Sequence, residues 1–147
     1  MQKITYTVCV FCGSKSGNNI KYLKLANTLG KKLAERNLNV IYGGGNSGLM
    51  GALAEGVLAK NGSLISVIPK FFKNKIDMTK SKKEIVTEDL FDRKKIMIKN
   101  SDIFIALPGG FGTLDEVFEL IALSQLSLIN KKIIILDINN FWYSLKN

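Results

Sequence analysis

The 147-residue chain contains no histidine and only two cysteines, Cys9 and Cys12. Without histidine, proton transfer near neutral pH falls to carboxylates, lysine, tyrosine or cysteine. Two cysteines supply too few soft ligands for a tetrahedral zinc site, so we expect no metal centre. The two cysteines lie three residues apart in an apolar, strand-like stretch, where such residues point to opposite faces. We therefore interpret them as buried thiols in a reducing compartment and not as a redox pair.

Long apolar runs are also missing. No run approaches the roughly 20 residues that a membrane-spanning helix needs, and the first ten residues lack the pattern of a signal peptide. Apolar residues make up 46% of the chain and charged residues 22%, as in an ordinary globular protein. A chain of this length suits one domain with its own core. We expect a cytoplasmic protein, with no membrane partner, that forms a single domain over residues 1–147.

Acidic residues are scarce, because 12 Asp and Glu face 21 Lys and Arg, which gives a formal charge of +9. The excess is spread along the chain, with one concentration of lysines: Lys70, Lys73, Lys75, Lys80, Lys82 and Lys83. The aromatic residues in that segment are Phe71 and Phe72, which do not make an evident platform for stacking bases. We interpret the segment as a solvated lysine-rich loop and do not expect a nucleic-acid partner.

Apolar segments that suit strands alternate with segments of helical periodicity. We predict strands at residues 4–12, 39–42, 64–68, 84–87, 103–107 and 133–137. Helical spacing of apolar residues follows in segments 20–36, 49–58, 89–100 and 114–122. This alternation predicts an α/β fold, a doubly wound, Rossmann-like parallel sheet with helices on both faces. In such sheets the ligand binds beyond the carboxyl ends of the strands.

A glycine-rich turn, L-P-G-G-F-G-T-L-D-E at residues 107–116, joins the fifth predicted strand to a helix. Its glycines, Gly109, Gly110 and Gly112, let backbone N–H groups approach a ligand with no Cβ in the way. The helix N-terminus behind them carries roughly half a positive charge, as in phosphate-binding turns. The alternative is structural, since Thr113 and Glu116 fit a capping box. A capping box does not explain three glycines, so we favour a ligand site.

Two other loops follow strands of the predicted sheet. Gly13 and Ser14 follow the first strand, and the segment G-G-G-N-S-G at residues 43–48 follows the second. The topology brings both loops to the same crevice as the turn at residues 107–116. The G-x-G-x-x-G spacing matches a dinucleotide fingerprint, but it follows the second strand, and no acid ends the third. A Walker loop would need lysine where this chain has Leu49, so we expect no nicotinamide, flavin or other cofactor.

Arg93 and Glu116 carry the chemistry suited to this crevice. Arg93 could grip a phosphate through two hydrogen bonds, or it could pair with a carboxylate. Glu116 lies beside the glycine turn near a helix N-terminus, where it could handle a proton or a water molecule. The residues are therefore consistent with a nucleotide hydrolase, although they do not single out that function.

The segment P-G-G-F-G-T-L-D-E at residues 108–116 resembles the P-G-G-x-G-T-x-x-E signature of the LONELY GUY (LOG) family, the cytokinin riboside 5'-monophosphate phosphoribohydrolases. Three further segments agree in order and spacing: C-V-F-C-G-S at 9–14, Y-G-G-G-N-S-G-L-M-G at 42–51 and R-K-K-I-M at 93–97. The resemblance covers essentially the whole chain. It implies hydrolysis of the N-glycosidic bond of an N6-substituted AMP, or of AMP itself, to free base and ribose 5-phosphate.

The resemblance also implies roles for individual residues. Arg93 and Glu116 correspond to the catalytic pair of the family. The implied substrate-binding residues are Gly110, Gly112 and Thr113 at the phosphate, Gly13, Ser14 and Gly45 along the nucleotide pocket, and Met97 near the base. The substrate would be a nucleoside 5'-monophosphate, and the carboxylate would stabilise an oxocarbenium-like ribose, as in ordinary glycosidases.

The same resemblance implies an oligomeric state and a missing C-terminal helix. Family members are typically dimers with the site near the subunit boundary, so we expect a homodimer that uses the helices carrying residues 90–97 and 114–126. Members usually continue through a further helix, so residues 1–147 are expected to form one LOG-type nucleotide-binding domain that lacks a C-terminal helix.

Other functions are associated with this fold and with this family. One alternative is a non-enzymatic nucleotide or molybdenum-cofactor carrier, because such carriers share the fold and the glycine turn. The presence of both Arg93 and Glu116 favours the enzyme. Family members are also commonly labelled lysine decarboxylases, which we discount because such a pyridoxal phosphate enzyme needs a far larger scaffold and a Schiff-base site.

Overall fold

Six parallel strands form one sheet in the computed structural model, which describes residues 4–73 and 81–146. The strands are β1 (Thr7–Phe11), β2 (Asn39–Tyr42), β3 (Ser63–Pro69), β4 (Lys83–Thr87), β5 (Ile103–Ala106) and β6 (Lys132–Ile135). Their order across the sheet is β4-β3-β2-β1-β5-β6. The helices are α1 (Ile20–Glu35), α2 (Gly48–Ala59), α3 (Lys70–Lys73), α4 (Leu90–Lys99), α5 (Phe111–Gln125) and α6 (Tyr143–Lys146). All six predicted strands are confirmed.

Alternate residues of β1 point to opposite faces of the sheet, and helices cover both faces. Val8, Val10 and Cys12 pack in the core cluster beneath α1 and α2. Cys9 and Phe11 pack in the cluster beneath α4 and α5. Both thiols are free and buried, and burial raises the pKa of each. The doubly wound arrangement and the opposite orientation of the two cysteines are therefore confirmed.

The order of the strands reverses beside β1. The chain proceeds outward from β1 through β2, β3 and β4, and then places β5 on the other side of β1. Such a switch leaves a crevice at the carboxyl ends of the two central strands, because the connections that leave them turn to opposite faces. Here Gly13 donates its N–H to the carbonyl of Pro108 at 3.2 Å, and Leu107 donates to Phe11 at 2.8 Å. The loops after β1 and β5 are thus in contact where the crevice begins.

The lysine-rich segment differs from its predicted form. The sequence predicts a loop, but Lys70–Lys73 form the short helix α3. Lys70 pairs with Glu88 at 2.6 Å and Lys73 pairs with Glu84 at 3.5 Å, so acidic residues in and just after β4 hold both ends of α3. Two lysines of the predicted loop lie outside the described residues: Lys75 and Lys80. Elsewhere, none of the helices that the structure describes combines the length and the apolar composition that a bilayer crossing requires.

Candidate active site

Three loops meet at the carboxyl end of the sheet. Met50, at the start of α2, donates its N–H to the carbonyl of Gly13 at 3.2 Å. Ser47 Oγ donates to the carbonyl of Ser14 at 3.2 Å. Because Gly13 also donates to Pro108, the loop after β1 is attached to α2 on one side and to the turn before α5 on the other. The predicted convergence of the three loops is confirmed.

Helix α5 begins earlier than a capping box at Thr113 would require. Its N-cap is Gly110 and its first residue is Phe111, so Thr113 lies inside the first turn and the capping-box interpretation is wrong. Thr113 is instead 3% exposed, and a Cβ on Gly109 would collide with its side chain. This packing beneath the turn explains why Gly109 is glycine.

The first amide groups of α5 are not satisfied by a side chain. No residue in the described part of the chain caps this helix through its side chain. By contrast, Asn19 caps α1 by accepting from the N–H of Lys21 at 2.9 Å, and Asp89 caps α4 by accepting from Asp92 at 2.8 Å. Helix α2 also lacks a side-chain cap, but the N–H of Met50 in its first turn donates to the carbonyl of Gly13. Unsatisfied amide groups at a helix N-terminus attract anions, both as donors and through the helix dipole.

Gly110 and Gly112 are not required by the fold itself. A Cβ built on either residue would have no heavy atom within 4 Å among the residues described. Neither residue has a positive φ. Because glycine inside a helix costs about 1 kcal/mol relative to alanine, Gly112 weakens α5 without a packing reason. The open space in front of these amides fits a bound anion that approaches the backbone closely.

A buried ion pair lies next to this turn. Arg93 Nη2, from α4, lies 3.4 Å from Glu116 Oε1, from α5, and the two side chains are 15% and 9% exposed. Arg93 Nε is buried and has no hydrogen-bond partner among the described residues. A Cβ on Gly43, at the end of β2, would lie 3.3 Å from Arg93 Nη1. Gly43 therefore leaves room for a guanidinium that reaches from α4 across the end of the sheet to α5.

The burial of Glu116 changes its acidity. Burial raises the pKa of Glu116 to about 7, against the opposing effects of Arg93 and Lys94 and with a contribution from Asp115. Burial also lowers the pKa of Arg93, although Glu116 counteracts that shift. A carboxyl group with a pKa near neutrality can exchange a proton under physiological conditions, which suits general acid or base chemistry.

The structure places the other predicted site residues at different depths. Gly45 packs on Met50, whose Cε would lie 2.9 Å from a Cβ at that position. Met97 is 1% exposed and belongs to the core cluster beneath α4 and α5.

Neither of two cavities of about 500 and 560 Å³ is lined by Arg93 or Glu116. The sequence did not predict that Gly43 lies against Arg93 or that Met50 lies against Gly45. No sequence pattern indicates either contact.

Comparisons with known proteins identify the family. Residues 50–147 match the model of a family described as "Possible lysine decarboxylase". The chain is 39% identical over 147 residues to cytokinin riboside 5'-monophosphate phosphoribohydrolase LOG3 of Arabidopsis thaliana, covering 99% of this chain and 68% of that protein. The chain belongs to the LOG family. The resemblance seen in the sequence motifs is therefore confirmed.

Other LOG proteins match over a similar span. The phosphoribohydrolase LOG1 of Arabidopsis thaliana is 40% identical over 139 residues, which cover 94% of this chain. The chain spans 65% of the length of LOG1 and 61% of the length of the probable phosphoribohydrolase LOG4 of Oryza sativa.

Solved structures of this fold include molybdenum cofactor proteins. The molybdenum cofactor binding protein of Rippkaea orientalis is 27% identical with a TM-score of 0.77, covering 97% of this LOG chain and 83% of that one. The Moco carrier protein of Chlamydomonas reinhardtii is 25% identical with a TM-score of 0.75, covering 90% and 76%. Both likenesses confirm the Rossmann-like fold.

Proposed function

We propose that this protein hydrolyses the N-glycosidic bond of a nucleoside 5'-monophosphate, either an N6-substituted AMP or AMP itself, to give the free base and ribose 5-phosphate. The observation that carries the proposal is the buried pair of Arg93 and Glu116 beside the open N-terminus of α5. The names of the LOG relatives, which are phosphoribohydrolases of cytokinin riboside 5'-monophosphates, support the same reaction class.

In this proposal the 5'-phosphate binds at the start of α5. Gly110 and Gly112 offer amide groups without side chains in front of them, and Thr113 lies in the same turn. Gly13 and Ser14 approach from the neighbouring loop. An anion at this position gains from both the amide donors and the helix dipole.

Glu116 then lies in a suitable place for the reacting carbon. It follows Gly112 by four residues, or ~6 Å along the helix axis, a distance that a ribose together with its 5' carbon can span. Cleavage of the glycosidic bond develops positive charge on the ribose, and a carboxylate nearby stabilises that charge and accepts a proton from the attacking water. The water's hydroxyl group bonds to the sugar carbon, and in the overall reaction the departing base gains one proton in its place. Arg93 contacts the carboxylate and lowers its pKa, which partly offsets the effect of burial.

Product analysis tests the proposal. The protein is incubated with AMP and with N6-isopentenyladenosine 5'-monophosphate, and free base and ribose 5-phosphate are separated by chromatography. Release of base from either nucleotide supports the proposal, and the ratio of the two rates identifies the preferred base. Adenosine is the matched control, since it lacks the phosphate and should react far more slowly. Folded protein that releases no base from either nucleotide would contradict the proposal.

A carrier of a nucleotide or of molybdenum cofactor is the second candidate function. The observation that favours it is the likeness to the solved molybdenum cofactor proteins. A carrier needs a binding crevice but no buried acid–base group, so Arg93 and Glu116 favour the enzyme. A tightly bound pterin in the purified protein, together with no release of base, would support the carrier.

We also propose that the protein acts as a homodimer joined through α4 and α5. Large apolar side chains are exposed on both helices: Leu90 is 41% exposed, Phe91 77% and Phe118 52%. Exposed apolar residues of this size next to a candidate site are typical of an interface. Light scattering in solution gives the mass directly. A dimer mass supports the proposal, and a monomer mass at working concentrations contradicts it.

A further inference from the structure

Lys94 is a buried cation that has no role in the reaction described above. It follows Arg93 on α4, and its side chain is only 9% exposed. Its Nζ lies 2.9 Å from Asp115 Oδ2 and also contacts Glu119 Oε2, and both carboxylates belong to α5. The ring centroid of Phe91 lies 5.5 Å from the same atom, which is within cation–π distance. A long, flexible side chain is therefore held in one place by three partners.

These contacts bridge the same two helices as the candidate catalytic pair. Arg93 and Lys94 are neighbours on α4, and Glu116 lies between Asp115 and Glu119 on α5. The contact between Arg93 and Glu116 is single and long, at 3.4 Å, so it fixes the helix spacing weakly. Lys94 binds two carboxylates one helical turn apart, and both contacts are shorter than the one between Arg93 and Glu116. Lys94 is 9% exposed, while Asp115 and Glu119 are 63% and 42% exposed, so the ammonium group is fixed from the outer side of the two helices.

We propose that Lys94 is a positioning residue, which joins α4 to α5 through Asp115 and Glu119 and so holds Arg93 and Glu116 at their working separation without touching the substrate. The catalytic consequence rests on the hydrolysis proposed above. The ammonium group of Lys94 already binds two carboxylates and lies against an aromatic ring, so it is engaged between the helices and is not directed to a phosphate.

Lys94 also belongs to the set of groups around Glu116. These groups come from each packed element: Arg93 and Lys94 from α4, Asp115 from α5, and the thiols Cys9 and Cys12 from β1. Lys94 lowers the pKa of Glu116, whereas Asp115 raises it. Replacing Lys94 and replacing Asp115 should therefore shift the titration of Glu116 in opposite directions. Two variants that only loosened the fold would not do so.

Steady-state kinetics of base release tests the positioning role. In Lys94→Met, we expect kcat to fall roughly 10- to 100-fold because small displacements of catalytic groups are costly. KM should change less than about threefold, since uniform substrate binding is not affected. Lys94→Arg retains the charge and should recover most of kcat. A large rise in KM with unchanged kcat would show that Lys94 binds the substrate, and would overturn the proposal.

A titration that needs no substrate completes the test. Carbon-13 NMR of the Glu116 carboxyl group gives its pKa in the wild type, in Lys94→Met and in Asp115→Asn. We expect an upward shift in Lys94→Met and a downward shift in Asp115→Asn, and equal or absent shifts would overturn the proposal. If Lys94→Met does not fold, Asp115→Asn and Lys94→Arg still decide it. If the wild type releases no base, the proposed function fails, while this titration still decides whether Lys94 acts on Glu116.

Discussion

Two glycine-rich turns precede helices at the same edge of the sheet, and their glycines are present for different reasons. In the α2 turn, residues 43–48, Gly44 and Gly48 have φ values of +87° and +59°. A Cβ there would collide with Ile68 or with the backbone of Ser14. In the α5 turn, residues 108–113, Gly110 and Gly112 have no positive φ and face open space. The protein's own atoms fill the space beside Gly44 and Gly48 in the α2 turn. We expect a ligand to fill the space beside Gly110 and Gly112 in the α5 turn.

The comparison shows that a glycine count does not identify a ligand site. The α2 turn has the spacing of a dinucleotide fingerprint, yet the backbone conformation and packing of the chain account for its three glycines, Gly43, Gly45 and Gly48. Gly110 and Gly112 have no such internal reason. The side chain of Arg93 lies between the two turns. Gly43 in the α2 turn leaves room for its guanidinium, and Glu116, which follows the α5 turn on the same helix, accepts its hydrogen bond.

Removal of the carboxylate behind the α5 turn should have the largest effect. Glu116→Gln keeps the shape of the side chain but cannot accept a proton, so turnover should fall by roughly 10²–10⁴ with little change in folding. The matched control is Glu55→Gln, at an exposed carboxylate on α2, which should leave turnover unchanged. Base release is the measurement. Activity within a few-fold of the wild type in Glu116→Gln would show that the α5 turn is not the chemical site.

A side chain in the α2 turn should destabilise the fold. In Gly48→Ala, the positive φ and the collision with the backbone of Ser14 should together lower the free energy of unfolding by about 3 kcal/mol. Urea denaturation measures this change. A loss below about 0.5 kcal/mol would mean that the α2 turn is not filled by its own packing.

The same substitution in the α5 turn should separate stability from activity. Gly112→Ala meets no neighbouring atom and improves helix propensity, so the free energy of unfolding should stay the same or rise by about 0.4–1 kcal/mol. The methyl group should nevertheless displace the phosphate and lower kcat/KM roughly 10- to 100-fold. Urea denaturation and base release are measured on one preparation. Unchanged kcat/KM would remove the distinction between the two turns.

The pH profile should report the ionisation of Glu116. The reaction uses the carboxylate, and burial raises its pKa to about 7, so the group becomes protonated and activity is lost as the pH falls through about 7. Below that point kcat should fall roughly tenfold per pH unit. The residual activity of Glu116→Gln should lack this limb. A wild-type limb near the ordinary pKa of a glutamate would contradict the assignment.

Local patterns were sufficient to predict most of the fold. The run at residues 39–42 matches β2 at both ends, and the helix at 89–100 matches α4 together with its two capping residues. The start of α5 could not be predicted, because the spacing of Thr113 and Glu116 fits a capping box that the structure does not form. Nor could the difference between the two turns, since it depends on the tertiary neighbours of each glycine.

Sequence patterns predict the crevice and suggest Arg93 and Glu116 for it, and the family motifs imply their roles, but the contact between the two side chains could not be predicted. Arg93 and Glu116 lie 23 residues apart on separate helices, so no local periodicity relates them. The bridge formed by Lys94 could be predicted in part. Asp115 and Glu119 are four residues apart, so their carboxylates share one face of the helix. Their common partner on α4 becomes visible only when the two helices are packed together.

Backbone amide shifts on addition of ribose 5-phosphate show directly whether the α5 turn binds the sugar phosphate. This phosphorylated product contains the sugar phosphate that the α5 turn is proposed to bind, and it is not hydrolysed during the titration. We expect large, saturable nitrogen-15 and proton shifts at Gly110, Gly112 and Thr113, and small ones at Gly44 and Gly48. Larger shifts in the α2 turn than in the α5 turn, or no saturable shift in either, would contradict this proposal.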